Sequence, residues 1–410
     1  MARRREFLKG TGAAIVGGAF AQRALHTSQP SAQPPAPADP SRIAGDARPL
    51  RWNGAARNVV LVRYGGGVRR EETTGAWGQS LSPFLHESLL PNGTLYDNLF
   101  IPWGISTGHM EGTLLLTTGR HETPVQKFPG RGDEFPFHPT VFETYRKASG
   151  AGPHDAVVVN NEQRNTEFVA YSSAPGYGRR WGGTVLSLHA LAIREQRRAL
   201  GGDIPERERR EREAKLAELL TIDQRPDRDG YDDAEIEERF FIPFLQRFGY
   251  RPPKGDAFQT EATIQALRTL RPRLLMVHYQ DCDYAHWGAS HFYYEGVRRM
   301  DQGLRRIVEE IQENPSYREN TVLLVVPDVG RGINVAKNGG PNHLRLHFQH
   351  HNPEDKGSHE TFALAWGSGI APGKRIDEAR DPVDVAPTVA ALLGHAMPGV
   401  DGRLLDEVVS

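Results

Sequence analysis

The sequence predicts an α/β protein with a mostly parallel sheet and helices on both faces. Three observations predict it: short apolar runs separated by helical stretches, a later segment with one apolar stripe, and ordinary globular composition. The chain has 410 residues, of which 38% are hydrophobic and 25% are charged. That length is enough for one large α/β domain or two smaller ones.

Five apolar runs are predicted to be strands because each is short and is bounded by polar residues, Gly or Pro. They are Asn58 to Val62, Ala156 to Val159, Leu274 to His278, Thr321 to Val326 and Phe362 to Trp366. Apolar runs that alternate with helical stretches are typical of a mostly parallel sheet covered on both faces.

Helix signals are clearest after the third run. Apolar residues recur there at spacings of three and four, namely Val297, Met300, Leu304, Ile307 and Ile311. This single stripe predicts a helix lying against the sheet. The segment of about residues 185–250 is dense in Arg and Glu and is predicted to be a helical insertion with solvated faces.

The N-terminal region resembles a twin-arginine export signal. Arg3, Arg4 and Arg5 precede an apolar pair, a lysine and a weakly apolar, Gly-rich stretch. A Pro-rich linker follows. Residues 1–45 are therefore predicted to lie outside the fold, and residues 46–410 to form the folded domain. The prediction is a protein exported to the periplasm or outside the cell, with the twin-arginine machinery as a partner.

Composition excludes several functional classes. The chain has 50 Lys and Arg residues and 51 Asp and Glu residues. This balance of charge gives it no net electrostatic attraction to nucleic acid or to an anionic membrane. Cys282 is the single cysteine, so an internal disulfide and a multi-thiolate metal site are excluded. Any metal ion must take His and carboxylate ligands. The sequence leaves the oligomeric state open.

Carboxylates and imidazoles follow the predicted strands, where ligands gather in open parallel sheets. Asp281, Asp283 and His286 follow the third run, Asp328 follows the fourth, and His359 precedes the fifth. Asp283 and His286 could face one divalent ion if the segment turns helically. Alone, such a pair more often caps a helix or faces solvent. With the other residues present, a metal site and a purely structural role are equally supported.

Four motifs resemble the alkaline phosphatase and sulfatase superfamily. The segment Asp384 to Gly394 reads DVAPTVAALLG, Gly367 to Ile370 reads GSGI, Asp328 to Arg331 reads DVGR, and Asp281 to Asp301 is an acidic, His-bearing loop before a helix. The likeness covers Asn58 to about Leu405. It implies an alkaline phosphatase-like core.

The resemblance implies a metal-dependent site. Members hold two ions, usually zinc, that flank a nucleophile. The resemblance assigns His286, His359 and one of Asp281 and Asp283 as ligands of one ion. It assigns Asp328 as a ligand of the other ion. Two departures reduce the second site: glycines stand where the first strand should end in Asp-Gly, and Val329 stands where a histidine is usual. We therefore expect one divalent ion, zinc before calcium or magnesium.

The nucleophile is also atypical. Counting back from the Leu-Thr-Gly-like element before Arg120 reaches His109, with Ser106 and Thr107 close by. Thr107 and His109 are thus the candidate nucleophiles, and the resemblance makes Arg331 a candidate catalytic residue. A phosphohistidine at His109 is chemically feasible, whereas a hydrogen-bonded loop histidine is the commoner role. A cluster that begins at His343 is a further source of imidazole ligands.

Two functions follow as hypotheses. The first is hydrolysis or transfer of a phosphate or sulfate ester, on a small-molecule or glycan substrate, with a reduced metal site. The second is a non-catalytic member that acts as a binding or cell-envelope scaffold protein. An exported α/β oxidoreductase is disfavoured because no dinucleotide fingerprint follows the first strand.

Overall fold

The apolar runs form an eight-stranded sheet in the computed structural model, which describes residues 58–122, 126–127, 134–160, 169–220, 233–249, 251–286, 290–332 and 355–409. The strands are β1 (Asn58–Tyr64), β2 (Gly93–Phe100), β3 (Gln126–Lys127), β4 (Glu134–Phe135), β5 (Ala156–Asn160), β6 (Thr184–Leu186), β7 (Leu274–His278), β8 (Thr321–Pro327), β9 (Glu360–Gly367) and β10 (Lys374–Ile376). Strands β3 and β4 form a separate two-stranded sheet.

The order of the large sheet is β10-β2-β9-β8-β1-β7-β5-β6. Every pairing is parallel except those of β9, which runs antiparallel to both β2 and β8. The predicted fold class is confirmed, and all five predicted strands are present. Strands β2, β6 and β10 were not predicted, because β2 contains polar residues and a bulge while the other two have three residues each.

The α-helices are α1 (Gly78–Leu81), α2 (His109–Thr118), α3 (Val141–Ser149), α4 (Leu188–Leu200), α5 (Glu206–Leu220), α6 (Asp233–Ile236), α7 (Ile242–Phe248), α8 (Asp256–Thr269), α9 (Ser290–Glu313), α10 (Lys356–His359) and α11 (Val385–Leu392). Helices α4 to α7 lie within the predicted insertion. Among the described residues, no helix is both long and apolar enough to span a membrane. The predicted signal and linker lie outside the described residues.

Strand β1 has buried side chains on both faces. Val60 and Val62 pack in a core that includes the predicted stripe of α9 and apolar residues of α8. Val59 and Leu61 pack in a second core with residues of α2, α3 and α11. Successive strand residues point to opposite faces, so an apolar run can fill both cores. This explains why β1 contains hardly any polar residue before its end.

The antiparallel strand β9 decides where His359 lies. Leu364 of β9 is opposite Val325 of β8, so the start of β9 lies at the edge where β8 ends. Phe100, the last residue of β2, is opposite Glu360. His359 and the segment after β2 therefore lie at the edge formed by the carboxyl ends of the parallel strands.

Candidate functional site

Asp328 is the centre of a buried polar cluster directly after β8. Its Oδ2 lies 2.7 Å from Arg63 Nη2 and 2.7 Å from His109 Nδ1. Its Oδ1 accepts hydrogen bonds from the backbone N–H of Gly67 at 3.2 Å and of Val329 at 2.8 Å. Burial alone would raise the pKa of this carboxyl, but Arg63 and His109 hold it well below its usual range. Asp328 is therefore an ionised carboxylate whose oxygens are fully used.

The glycines after β1 make this arrangement possible. Gly66 N–H lies 3.3 Å from Asp328 Oδ2. Its φ of +86° favours glycine, and a Cβ there would lie 2.3 Å from Asp283 N. The sequence therefore places glycine where the β1 loop passes between the Asp328 and Asp283 loops. A side chain at Gly66 would therefore overlap the backbone of Asp283.

His109 is the first residue of α2 and lies between two carboxylates. Its Nδ1 lies 2.7 Å from Asp328 Oδ2 and its Nε2 lies 2.9 Å from Asp283 Oδ1. Burial lowers its pKa, but Asp328 and Asp283 outweigh burial and raise the pKa of His109 to about 9. Both ring nitrogens therefore donate, and the ring is an imidazolium at neutral pH.

Arg63 is the residue that sequence reasoning missed. It is the sixth residue of β1, it is 1% exposed, and its Nη2 also donates to the backbone oxygen of His109 at 3.2 Å. Its Nη1 is in hydrogen-bond contact with His278 Nε2. Burial and the nearby Arg63 charge lower the pKa of His278 well below its usual value, so this ring is neutral and accepts. Arg63 and His278 are register partners on β1 and β7.

Arg331, predicted to be catalytic, donates to backbone carbonyls. Its Nε lies 2.9 Å from Gly67 O, and its Nη2 contacts Gly66 O and lies 3.2 Å from Cys282 O. Its guanidinium carbon lies 4.8 Å from the ring centre of Tyr293. These contacts tie the β1 loop to the segment after β7. A catalytic role for Arg331 stays a prediction.

Of the two aspartates after β7, only Asp283 contacts His109. Asp281 accepts a hydrogen bond from Asp256 N–H at 3.2 Å and pairs with Arg299 at 2.9 Å. Asp281 therefore fixes the start of α8, away from the His109 cluster. The side chain of His286 and the cluster that begins at His343 lie outside the part of the chain that the structure describes. Their predicted roles stay predictions.

Thr107 and His359 lie at the same sheet edge but are buried. Thr107 is 1% exposed and His359 is 0% exposed. His359 Nδ1 lies 2.7 Å from Ile101 O, and its ring centre lies 4.4 Å from that of Trp103. His359 is thus held by the segment after β2. Its role as a ligand and the role of Thr107 as a nucleophile stay predictions.

Comparison with known proteins agrees with this architecture. Residues 241–395 match the sulfatase family model. A mutant of the alkaline phosphatase PafA is 11% identical, with 87% of this chain and 99% of that chain covered and a TM-score of 0.51. The chain has the fold of the alkaline phosphatase and sulfatase superfamily. The resemblance found in the sequence is thereby confirmed.

Two further solved structures are similar to this chain, with lower TM-scores. A protein in the alkaline phosphatase superfamily from Vibrio parahaemolyticus is 13% identical, with 85% of this chain and 69% of that chain covered and a TM-score of 0.48. The phosphonate monoester hydrolase of Agrobacterium radiobacter is 12% identical, with 86% and 77% covered and a TM-score of 0.49. A search of curated proteins finds no match.

The metal ions implied by the superfamily resemblance do not fit the residues around Asp328. The guanidinium of Arg63 has no lone pair and lies against the carboxylate that would bind the ion. His109 donates from both ring nitrogens, so it offers none to a metal. Across the described ranges, no group of three or more His, Cys, Asp and Glu is arranged to hold an ion.

Val329 stands at the superfamily's usual histidine position and has an apolar role. It is fully buried and packs in a small cluster with Ile101, Leu115 and Val383. A Cβ on Gly112 of α2 would lie 2.7 Å from Val329 Cγ1, so the side chain points into the α2 packing. Apolar packing therefore occupies the position at which the resemblance implies a histidine.

Proposed function

We propose that this protein is a non-hydrolytic member of the superfamily that acts as an exported binding or cell-envelope scaffold protein. The observation that carries the proposal is the ion pair between Arg63 and Asp328, at 2.7 Å and with both side chains buried. This pair neutralises the carboxylate that the resemblance assigns to a catalytic metal. A reaction based on two metal ions would lack this ligand of the second ion.

The state of His109 also supports the proposal. A nucleophile needs an available lone pair, and an imidazolium between Asp328 and Asp283 has none. Thr107, the other candidate nucleophile, is buried two residues before the start of α2. On this proposal neither residue acts as a nucleophile toward phosphorus or sulfur.

We assign the binding surface to two exposed aromatic rings. Trp103 is 56% exposed and its ring lies over His359, while Tyr284 is 52% exposed and directly follows Asp283. Exposed Trp and Tyr rings contribute large contact areas to a ligand while retaining a polar end. The balanced charge of the chain favours a small molecule or glycan over a polyanion.

The catalytic part of the proposal is tested by ester hydrolysis. The mature protein is assayed with 4-nitrophenyl phosphate, its bis-ester and 4-nitrophenyl sulfate, in the presence of Zn²⁺, Mn²⁺, Mg²⁺ or Ca²⁺. We expect no turnover above that of the His109→Ala and Asp328→Asn variants. His121→Ala is the matched control, because His121 also contacts an aspartate, Asp381 at 2.7 Å, and lies in no part of the cluster.

Turnover that is lost in His109→Ala and in Asp328→Asn but kept in His121→Ala would overturn the proposal. Ester hydrolysis or transfer, the alternative function, would then be the better account. The match of residues 241–395 to the sulfatase model favours that alternative. This segment contains all five predicted metal ligands.

The binding part is tested by tryptophan fluorescence with a panel of neutral and sulfated oligosaccharides. We expect a saturable change in wild type that is absent in Trp103→Phe. Trp77→Phe is the control, since Trp77 is also 56% exposed. A change that persists in Trp103→Phe and disappears in Trp77→Phe would place binding elsewhere.

A further inference from the structure

The residues that directly precede the parallel strands form the edge of the sheet opposite to the Asp328 cluster. Arg273 precedes β7, and its N–H donates to the backbone oxygen of Asp155, which precedes β5, at 2.9 Å. On the other side, Val59 N–H of β1 donates to the backbone oxygen of Arg273 at 2.8 Å. Strand β6 pairs with β5, so the turn that ends at Gly183 continues the row. These strand starts are the amino-end edge of the sheet.

The amino-end edge is rich in exposed basic side chains. They come from the last turn of α3 and from the turns before β6 and β7, and they are Lys147, Arg180, Arg271 and Arg273. Residues 169–187, which include the turn before β6, contain no Asp or Glu. The basic side chains are thus grouped at one edge, although the charge of the whole chain is balanced.

The acidic residues at this edge do not cancel that charge. Asp155 is half-buried, and its Oδ2 accepts a hydrogen bond from a backbone N–H of its own turn. Beside the turn before β7, Glu235 pairs with Arg239. Beside the turn before β8, Glu319 pairs with Arg318 at 3.4 Å. Each of these two pairs has no net charge, so the amino-end edge is positive.

A cleft of about 550 Å³ lies at this edge, between the starts of β1, β7 and β8. Its walls are formed by Asn58, Arg273, Ser316 and Asn320. The hydroxyl of Tyr317 donates to the backbone oxygen of Pro272 at 2.8 Å, which joins the turns before β7 and β8. A guanidinium supplies charge and paired donors that match a carboxylate, sulfate or phosphate group. The amide and hydroxyl groups beside it suit the hydroxyls of a sugar.

Aromatic rings support two of the other cations. The guanidinium carbon of Arg180 lies 5.5 Å from the ring centre of Trp181. Lys147 Nζ lies 4.0 Å from the ring centre of Tyr177 and donates to a backbone oxygen at 3.0 Å. Cations held over rings in this way lose less conformational freedom when they bind an anion. Trp181 and Tyr177 are half-buried, so they act as supports under the charges.

We propose that the amino-end edge binds an anionic polysaccharide, with one acidic group in the Arg273 cleft and others at Arg180 and Lys147. Neighbouring strands lie about 4.8 Å apart, so the starts of β7 and β6, with β5 between them, are separated by about 10 Å. A single acidic group does not span that distance, whereas a chain with repeated acidic groups does. The inference goes beyond the ligand proposed at Trp103, because it adds a second ligand at the opposite edge.

The surface suits a polysaccharide better than a membrane or a nucleic acid. None of the large hydrophobic side chains that are exposed in the described ranges lies in these turns, so the edge has no apolar group to insert into lipid. Single-stranded nucleic acid is bound largely by bases that stack on aromatic rings. Here the two rings are covered by Arg180 and Lys147.

The experiment measures binding of dextran sulfate to the purified mature protein by isothermal titration, with uncharged dextran of the same length for comparison. We expect binding of dextran sulfate alone, and an affinity that falls as salt rises because counterions are released on binding. Arg180→Ala combined with Arg273→Ala should weaken binding by about 10-fold or more. Arg180→Lys combined with Arg273→Lys should retain most of it.

The matched control is Arg207→Ala combined with Arg210→Ala, which removes the same charge from α5, where these side chains are 92% and 75% exposed. It should bind as wild type does. An equal loss in both alanine pairs would mean that only total charge matters and would reject the site, as would no binding by wild type. If the Arg180 and Arg273 alanine pair does not fold, Arg271→Gln decides: unchanged affinity in this variant would overturn the proposal.

Two further measurements separate this inference from its alternatives. Vesicles of phosphatidylglycerol and phosphatidylcholine should not bind; vesicle binding that is lost in the Arg180 and Arg273 alanine pair would assign the surface to a membrane and reject the polysaccharide. Trp103→Phe should bind dextran sulfate as wild type does. Loss of oligosaccharide binding at Trp103 would then reject only the proposed function. Dextran sulfate binding that is lost in Trp103→Phe and kept in the alanine pair would reject only this inference.

Discussion

Asp256 and Asp281 cap each other's backbone. The N–H of Asp256 donates to Asp281 Oδ1 at 3.2 Å, and the N–H of Asp281 donates to Asp256 Oδ2 at 3.1 Å. Both side chains are buried at the junction between the start of α8 and the segment after β7. Burial, and then the charge of Asp281, raise the pKa of Asp256 well above its usual value. A proton on Asp256 would reduce the repulsion between the two carboxyl groups.

Asp281→Ala is expected to lower stability without changing the His109 cluster. The substitution leaves the buried N–H of Asp256 without its acceptor, which costs about 1 to 3 kcal/mol. The free energy of unfolding from urea titration measures the loss. Arg299→Ala is the control: it removes the ion pair of the exposed Arg299 and should cost much less. A shift in the NMR signals of His109 in Asp281→Ala would contradict this structural role.

His109 should titrate near pH 9 rather than near its ordinary pKa of 6.5. A histidine whose pKa is raised on folding stabilises the protein fully below about pH 6.5, and this stabilisation is lost as the pH rises through 9. The shift corresponds to about 3 kcal/mol. NMR titration measures the pKa, which should fall in Asp283→Asn.

The matched stability experiment compares wild type with His109→Gln, which has no charge to lose. Urea unfolding at pH 6 and pH 9.5 should show a larger fall in stability for wild type. Equal falls in the two proteins would mean that His109 is not the protonated group.

Gly112→Ala is expected to destabilise the protein, although alanine is the better helix former by about 1 kcal/mol. A Cβ at this position of α2 would lie 2.2 Å from the backbone oxygen of Asp328. The resulting overlap should cost about 1 to 3 kcal/mol. Thermal unfolding checks the sign. Gly152→Ala is the control, because the nearest atom to its Cβ, Asp155 Oδ2, lies at 3.6 Å.

Glu143 makes stability fall as the pH rises from about 4.5 to about 7. Burial raises its pKa to about 7, although the N–H of Thr140, the hydroxyl of Ser172 and the N–H of Gly178 all donate to it. An acid with a raised folded pKa stabilises the fold below its unfolded pKa and loses this stabilisation as the pH rises through the folded pKa.

Glu143→Gln should remove that pH dependence. Between pH 5 and pH 8, the free energy of unfolding of wild type should fall by about 2 to 3 kcal/mol more than that of the variant. The exposed Glu218→Gln is the control and should behave as wild type. Parallel pH profiles for wild type and Glu143→Gln would contradict the raised pKa.

The sequence by itself determined the central strands and the helix behind them. Strands β1, β5, β7 and β8 are buried on both faces, so their central residues are apolar and stand out in the sequence. The stripe of α9 is equally local, since a helix that covers a sheet repeats its apolar residues every three or four positions. The superfamily motifs are likewise short and contiguous.

Only the tertiary structure decided how the site is charged. Arg63 is the next-to-last residue of β1 and His278 is the last residue of β7, and a basic residue at or beside the end of each of two predicted strands was the one signal that pointed to them. Whether such residues face each other depends on strand order and register, which bring together positions 215 residues apart. Which of Asp281 and Asp283 contacts His109 had the same basis, because two residues separated by one position in a tight turn point to different neighbours. Side-chain electrostatics follow from distances across the sheet, and local sequence patterns carry no information on those distances.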